Sequence, residues 1–195
     1  MAEWRLFEEG TVPECTTAEW YLGRERAPHL EQAGHRDRLL KADKFIVSLF
    51  HAYPELTSVV DLGCGDGGLL SLLKAQAIRG WGYDLSPAAV AGARERGVDA
   101  EQLDVVARMD MVRWADLAVT TEMLEHLVDP HRFLRRLACT AVVASSPVFE
   151  TDLSHYEFHT WAWDIRGYLD LFEQAGFSVV RHETVQSFQV ISAVR

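Results

Sequence analysis

The sequence predicts an α/β fold, a largely parallel sheet buried between helices, and three observations carry that expectation. β-rich runs alternate with apolar stripes of helical period along most of the chain, the order of a sheet wound by crossover helices. The run Val59, Val60, Asp61, Leu62 leads through glycines into the stripe Leu69, Leu70, Leu72, Leu73, which reads strand, tight loop, helix. The last two β-rich runs, residues 177–181 and 188–194, lie too close together for a helical crossover, so they should pair as an antiparallel hairpin.

Residues 1–35 are rich in Trp, Glu, Pro and His and weakly periodic, so an irregular cap or lid is expected there, ahead of one domain over 36–195. From Arg36 the residues Leu39, Ala42, Phe45, Ile46, Leu49 and Phe50 recur at helical spacing until Pro54 ends the run. Strands are expected at 58–62, 80–83, 98–105, 115–120 and 140–145. Ser86-Pro87 and Asp129-Pro130 each place a capping side chain before a proline, the opening of a helix. Asp164 opens the last helix, with Ile165, Tyr168, Leu169 and Phe172 on one face and Gly176 as its stop.

A length of 195 residues with 48% hydrophobic content suits one domain with a proper core. No window approaches the roughly 18 apolar residues of a membrane span, and the first residues lack signal-peptide order, so a cytoplasmic protein is expected. Cys15, Cys64 and Cys139 form no Cys-x-x-Cys pair and read as free thiols. The net charge of −10 weighs against broad attraction to a phosphate backbone, although the local pair Arg24 and Arg26 keeps a nucleic-acid partner open. Composition leaves the oligomeric state open.

The loop after the first long strand is Asp61-Leu62-Gly63-Cys64-Gly65-Asp66-Gly67-Gly68. It lies where an open parallel sheet binds ligands, and its glycines also satisfy the Gly-x-Gly-x-x-Gly of dinucleotide enzymes. The charges discriminate. A pyrophosphate wants a bare helix N-terminus, whereas Asp61 and Asp66 would attract a ligand carrying sulfonium and ammonium groups. Asp84, ending the second strand, suits both hydroxyls of a ribose.

These residues resemble a known family. Asp61-x-Gly63-x-Gly65-x-Gly67 followed by Tyr83-Asp84-Leu85-Ser86-Pro87 is similar to motifs I and II of the class I S-adenosylmethionine-dependent methyltransferases, from about Ser58 to the C-terminus. The resemblance implies a Rossmann-like sandwich with sheet order 3-2-1-4-5-7-6, strand seven antiparallel and helices on both faces. It implies S-adenosyl-L-methionine as cofactor, with the methionine moiety against Asp61, Gly63, Cys64, Gly65, Asp66 and Gly67. The ribose then falls to Asp84, adenine to Leu85, Asp104 and Val105, and the remaining wall to Thr121 and Glu122.

After the fourth strand comes Thr121-Glu122-Met123-Leu124-Glu125-His126, which resembles the Glu-Met-Leu-Glu-His stretch of ubiquinone-biosynthesis O-methyltransferases. More loosely it resembles the Glu-x-x-Glu-His segment of small-RNA 3'-terminal 2'-O-methyltransferases, where a divalent ion is held. Two carboxylates and an imidazole can bind a divalent metal, supply a general base, or cap the next helix. A metal is not among the expected ligands, and these readings stay open. The aromatic link at 146–163 should face the acceptor, with His155 and His159 as further candidates and Trp161 and Trp163 either lining the pocket or packing the link. In the cap, Trp20, Tyr21, Arg24 and His29 are placed to close over the cofactor.

Methyl transfer is an in-line displacement in which the enzyme mainly aligns its reactants. The expected catalytic set is His126, Glu122, Glu125, His155 and His159, acting on the oxygen of a small-molecule acceptor, since a hydroxyl must lose a proton. N-methylation and RNA 2'-O-methylation are the alternatives. The rivals from other classes are a nucleotide-dependent oxidoreductase and an inactive cofactor-binding module.

Overall fold

The computed structural model describes residues 2–195. Helix α2 (Ala33–Ala52) turns Leu39, Ala42, Phe45, Ile46 and Leu49 inward, the stripe its sequence carries. Strand β2 (Ser58–Leu62) is buried on both sides, hence its apolar residues Val59, Val60 and Leu62, with Asp61 the one buried charge among them. Then follow α3 (Gly68–Ala75), β3 (Arg79–Asp84), α4 (Pro87–Glu95), β4 (Asp99–Gln102), β5 (Leu117–Thr121), α5 (Pro130–Arg135) and β6 (Ala141–Pro147). After β7 (Trp161–Trp163) come α6 (Ile165–Gln174), β8 (Ser178–Val185) and β9 (Phe188–Val194).

Three helices start as the sequence predicts: the side chains of Ser86, Asp129 and Asp164 accept the backbone N–H of Ala89, Arg132 and Gly167 respectively. The main sheet has seven strands in the order β4-β3-β2-β5-β6-β9-β8, which, counted from Ser58, is 3-2-1-4-5-7-6. Strand β9 runs antiparallel to both β6 and β8, and the other neighbours pair parallel. Alternate residues feed two cores. Val60, Leu62, Ala118, Val142 and Ile191 pack with Phe133, Tyr168 and Phe172, while Val59, Val119, Val143 and Val190 pack with Phe45, Ile46, Leu69 and Leu73.

The first 35 residues are more ordered than their composition suggests. Strand β1 (Glu3–Arg5) pairs antiparallel with β7, joining Glu3 to Trp163 and Arg5 to Trp161, and α1 (Ala18–Leu22) is capped by Thr17. Three-residue strands are too short to show a period of two. Trp161 and Trp163 are therefore packing residues: Trp163 is fully buried with its indole N–H on Glu3, and the Trp161 indole N–H reaches the Val128 carbonyl. The expected strand over 98–105 is cut to β4 because the Asp104 side chain accepts the N–H groups of Val106 and Ala107 and turns the chain.

Candidate functional site

A cavity of about 1290 Å³ opens at the C-terminal edge of β2, β3, β5 and β6, above the point where the strand order reverses. It exceeds the roughly 300–1,000 Å³ usual for one drug-sized ligand, so two reactants fit side by side.

The glycine loop forms its floor. The N–H groups of Gly63 and Cys64 both donate to the Tyr83 carbonyl, folding the loop back on β3. Asp84 then links both sides: its Oδ2 accepts the Gly65 N–H and its Oδ1 the Ser86 N–H, each at 2.8 Å. Burial raises the Asp84 pKa while these backbone donors oppose the rise, and each oxygen keeps a lone pair for a ligand hydroxyl. Asp61 is fully buried at the bottom, and its Oδ1 has no partner. Burial, then the Asp84 charge, pushes its carboxyl up to about 7, with Arg38 opposing. Cys64 is buried, and burial raises its thiol well above the ordinary value.

Two loop residues depart from expectation. The Asp66 carboxylate is already neutralised, with Oδ2 at 2.6 Å from Arg96 Nη2 and 3.4 Å from Arg26 Nη2, so it pins α4 and the N-terminal segment to the loop instead of offering a free charge. Gly67 has φ +75°, and a Cβ there would sit 2.7 Å from Val98 Cγ2 and 2.9 Å from Ala93 Cβ. Its role is loop–helix packing. Gly65, at φ +54°, has nothing closer than His29 at 3.7 Å, so it is the glycine that leaves the floor open. Leu85, Asp104, Val105, Thr121 and Glu122 all line the cavity, as do Tyr21, Arg24 and His29 from the N-terminal segment. Arg24 stacks 4.4 Å over Trp20, whose ring in turn meets Phe158 at 5.0 Å.

The acidic-histidine segment splits. Glu122, at φ +52°, turns its carboxylate to Ser145 Oγ at 2.9 Å and to Arg38 at 3.4 Å, away from the other candidates. Glu125, His126 and His159 instead bring one ligand atom each within 4.8 Å of one another. His155 stays exposed with Nδ1 on the Thr151 carbonyl and does not join them. The Thr160 N–H and hydroxyl both donate to the Glu125 carbonyl, which holds the end of the aromatic link against this segment.

Within this trio, His126 Nδ1 lies 3.0 Å from the Phe158 carbonyl. A carbonyl only accepts, so Nδ1 carries the proton and Nε2 keeps its lone pair. Burial, then the charges of His159 and Arg24, pushes His126 down to about 4. His159 moves the other way: burial opposes its charge, but the Glu150 hydrogen bond and the nearby Glu125 and Glu150 charges outweigh it. Glu125 is fully buried, neither carboxylate oxygen has a partner, and burial raises its pKa.

Sequence reasoning missed Arg38, Glu150 and Thr160. Arg38 is 1% exposed and lies between Glu122, Ser145 and His35, with Nε unpartnered. Burial pushes its pKa down to about 10, opposed by Glu125 and Asp61. A trace of it was visible, for position 38 falls on the α2 stripe of 42, 45, 46 and 49.

The ubiquinone biosynthesis O-methyltransferase of Pseudomonas putida (strain W619) is 38% identical over 95 residues, 44% of this chain and 39% of the relative. That of Pseudomonas entomophila (strain L48) is 39% identical over the same length. The match thus spans about two fifths of these relatives. Among solved structures, the magnesium protoporphyrin IX methyltransferase of Synechocystis PCC 6803 superposes with TM-score 0.65 at 18% identity, covering 91% of this chain and 92% of that one. The methyltransferase domain of bacterial CtHen1 gives TM-score 0.63 at 22% identity, covering 83% and 100%. These likenesses establish the fold of the class I methyltransferases. A family model described as a methyltransferase domain matches residues 32–188, and the chain belongs to that family.

Proposed function

We propose that the chain transfers the methyl group of S-adenosylmethionine to a hydroxyl oxygen of a small-molecule acceptor. Bound in the cavity, that cofactor supplies a methyl carried on a good leaving group, a sulfonium. The residues present fit it: the unpartnered Asp61 Oδ1 in the floor suits an ammonium donor, and Asp84 retains lone pairs for ribose hydroxyls. Asp104, Leu85 and Val105 would take the adenine, and Tyr21 and Arg24 from the cap would cover the methionine end.

The observation that carries an oxygen acceptor is the trio of buried Glu125 with half-buried His126 and His159. His159 is the better base, because Glu150 holds its Nδ1 and leaves Nε2 to receive the hydroxyl proton. Glu125, whose pKa burial raises to about 7, can donate its carboxyl proton to the acceptor oxygen, whereas His126 Nε2 has only a lone pair and shapes the wall beside it. The same trio fits a divalent cation, because Glu125 offers two unpartnered oxygens and both imidazoles have Nδ1 committed elsewhere. When bound, such an ion supplies acidification of the hydroxyl. The net charge of −10 favours a small acceptor over RNA, and the oxygen preference agrees with the relatives from ubiquinone biosynthesis.

The test is release of S-adenosylhomocysteine from a panel of phenols, alcohols and amines, with and without Mg²⁺, Mn²⁺ or Zn²⁺. His159→Ala should lower kcat roughly 10²–10⁴-fold and leave S-adenosylhomocysteine affinity intact. Turnover on amines alone, or an unimpaired His159→Ala, overturns the oxygen reading. A stretch of RNA methylated in place of every small hydroxyl overturns the acceptor class.

A further inference from the structure

We propose that Glu150 is a positioning residue that fixes the tautomer of His159 and aims its Nε2 at Glu125 and His126. As regards metal binding the proposal rests on the reading that this trio holds a divalent cation. Glu150 Oε2 lies 2.6 Å from His159 Nδ1, and Oε1 accepts the Tyr156 N–H at 3.0 Å. One carboxylate therefore closes the aromatic link on itself and sets the ring that faces the trio. Both partners are sheltered, the His159 side chain being 9% and the Glu150 side chain 18% exposed, so water competes weakly for the bond.

The two imidazoles of the trio are held by different means. His126 leans on the carbonyl of Phe158, a neutral acceptor supplied by the backbone. His159 leans on a full negative charge. A carboxylate behind a ligating imidazole fixes its orientation and raises the basicity of the far nitrogen, the arrangement that outer partners provide at histidine-ligated metals. The His159 ring also meets His126 edge-on at 4.8 Å and Tyr156 at 5.2 Å. Packing therefore holds the plane of the ring, and Glu150 adds its aim within that plane and the choice of which nitrogen keeps the proton.

Glu150→Gln keeps the shape and reverses the polarity. With its carbonyl oxygen kept on the Tyr156 N–H, the amide nitrogen turns to His159 and donates to Nδ1, moving the ring proton to Nε2, where it blocks a ligand. The experiment has two readouts on the full chain. Nitrogen-15 NMR of the histidines at alkaline pH reads the tautomer without any metal, and calorimetric titration with Mn²⁺ and Zn²⁺ reads affinity. We expect an Nδ1–H His159 in the wild type, a shift toward Nε2–H in Glu150→Gln, and roughly 10- to 100-fold weaker metal binding in that variant. Glu150→Asp should recover part of the loss. S-adenosylhomocysteine affinity of the wild type and both variants should match, showing that the fold survives. An unchanged tautomer in Glu150→Gln overturns the proposal. A changed tautomer in a protein that binds neither ion sustains the positioning role and defeats the metal reading alone.

Discussion

Asp61 makes the floor of the cavity a place where stability and ligand affinity oppose each other, and Asp61→Asn measures both. Its carboxyl is fully buried and its pKa raised from 3.8 to about 7. Between those pH values the unfolded chain loses the proton and the native chain keeps it. The native state is therefore favoured least at pH 7 and above, and the stability present below pH 3.8 is lost as pH rises to about 7. Three pK units correspond to about 4 kcal/mol at the upper limit, and relaxation around the charge reduces the expected effect to about 2 kcal/mol. Asn carries no such penalty. Urea denaturation of the ligand-free protein at pH 5 and pH 8 should show Asp61→Asn gaining on the wild type by about 2 kcal/mol as pH rises. Affinity should run the other way. The ammonium of S-adenosylhomocysteine favours ionised Asp61, so wild-type binding should weaken as pH falls below about 7, by about tenfold per unit, and Asp61→Asn should bind weakly and without that slope. A variant with wild-type pH dependence in both assays would refute the placement of the cationic end at Asp61.

Gly65→Val should fold, by circular dichroism, yet lose at least tenfold in S-adenosylhomocysteine affinity, because φ +54° strains a branched residue and its methyls enter open cavity. Gly67→Ala is the contrast: its Cβ would press on Val98 and Ala93, so it should lower Tm more than affinity. Equal affinity losses in both would mean that the loop, not the cavity at Gly65, was disturbed. Arg38→Met should destabilise the chain by roughly 3–5 kcal/mol, since Glu122 and Asp61 then lie beside a buried group without charge. Denaturation at pH 5 should narrow the loss as Asp61 protonates, and an undiminished loss would point to packing instead.

Most of the fold was legible because its signals are local and repeated. The α2 stripe, the double-sided burial of β2 and the Ser86, Asp129 and Asp164 caps each depend on a few neighbouring residues. The closing hairpin followed from chain length alone. What escaped was β1 with β7, whose partners are some 160 positions apart and three residues long. No periodicity exists over so short a span, and the pairing is fixed by Trp163 donating to Glu3.

At the site, the sequence placed residues correctly at the strand ends but could not say which partner each charge would take. Asp61 and Asp66 look equivalent in the loop, yet one is an unpartnered buried acid and the other is neutralised by Arg96 and Arg26 from distant segments. Glu122 and Glu125 form a second such pair, three apart, and the left-handed backbone at Glu122 sends it to Arg38 while Glu125 goes to the histidines. His155 and His159 are told apart by the Glu150 carboxylate, which reaches His159 only. In each pair a long-range cation, a backbone angle or a second acid made the choice. A residue's chemistry at this site is therefore set by the counter-group that reaches it, and Arg38, Arg96 and Glu150, none of them in a recognised motif, do the sorting.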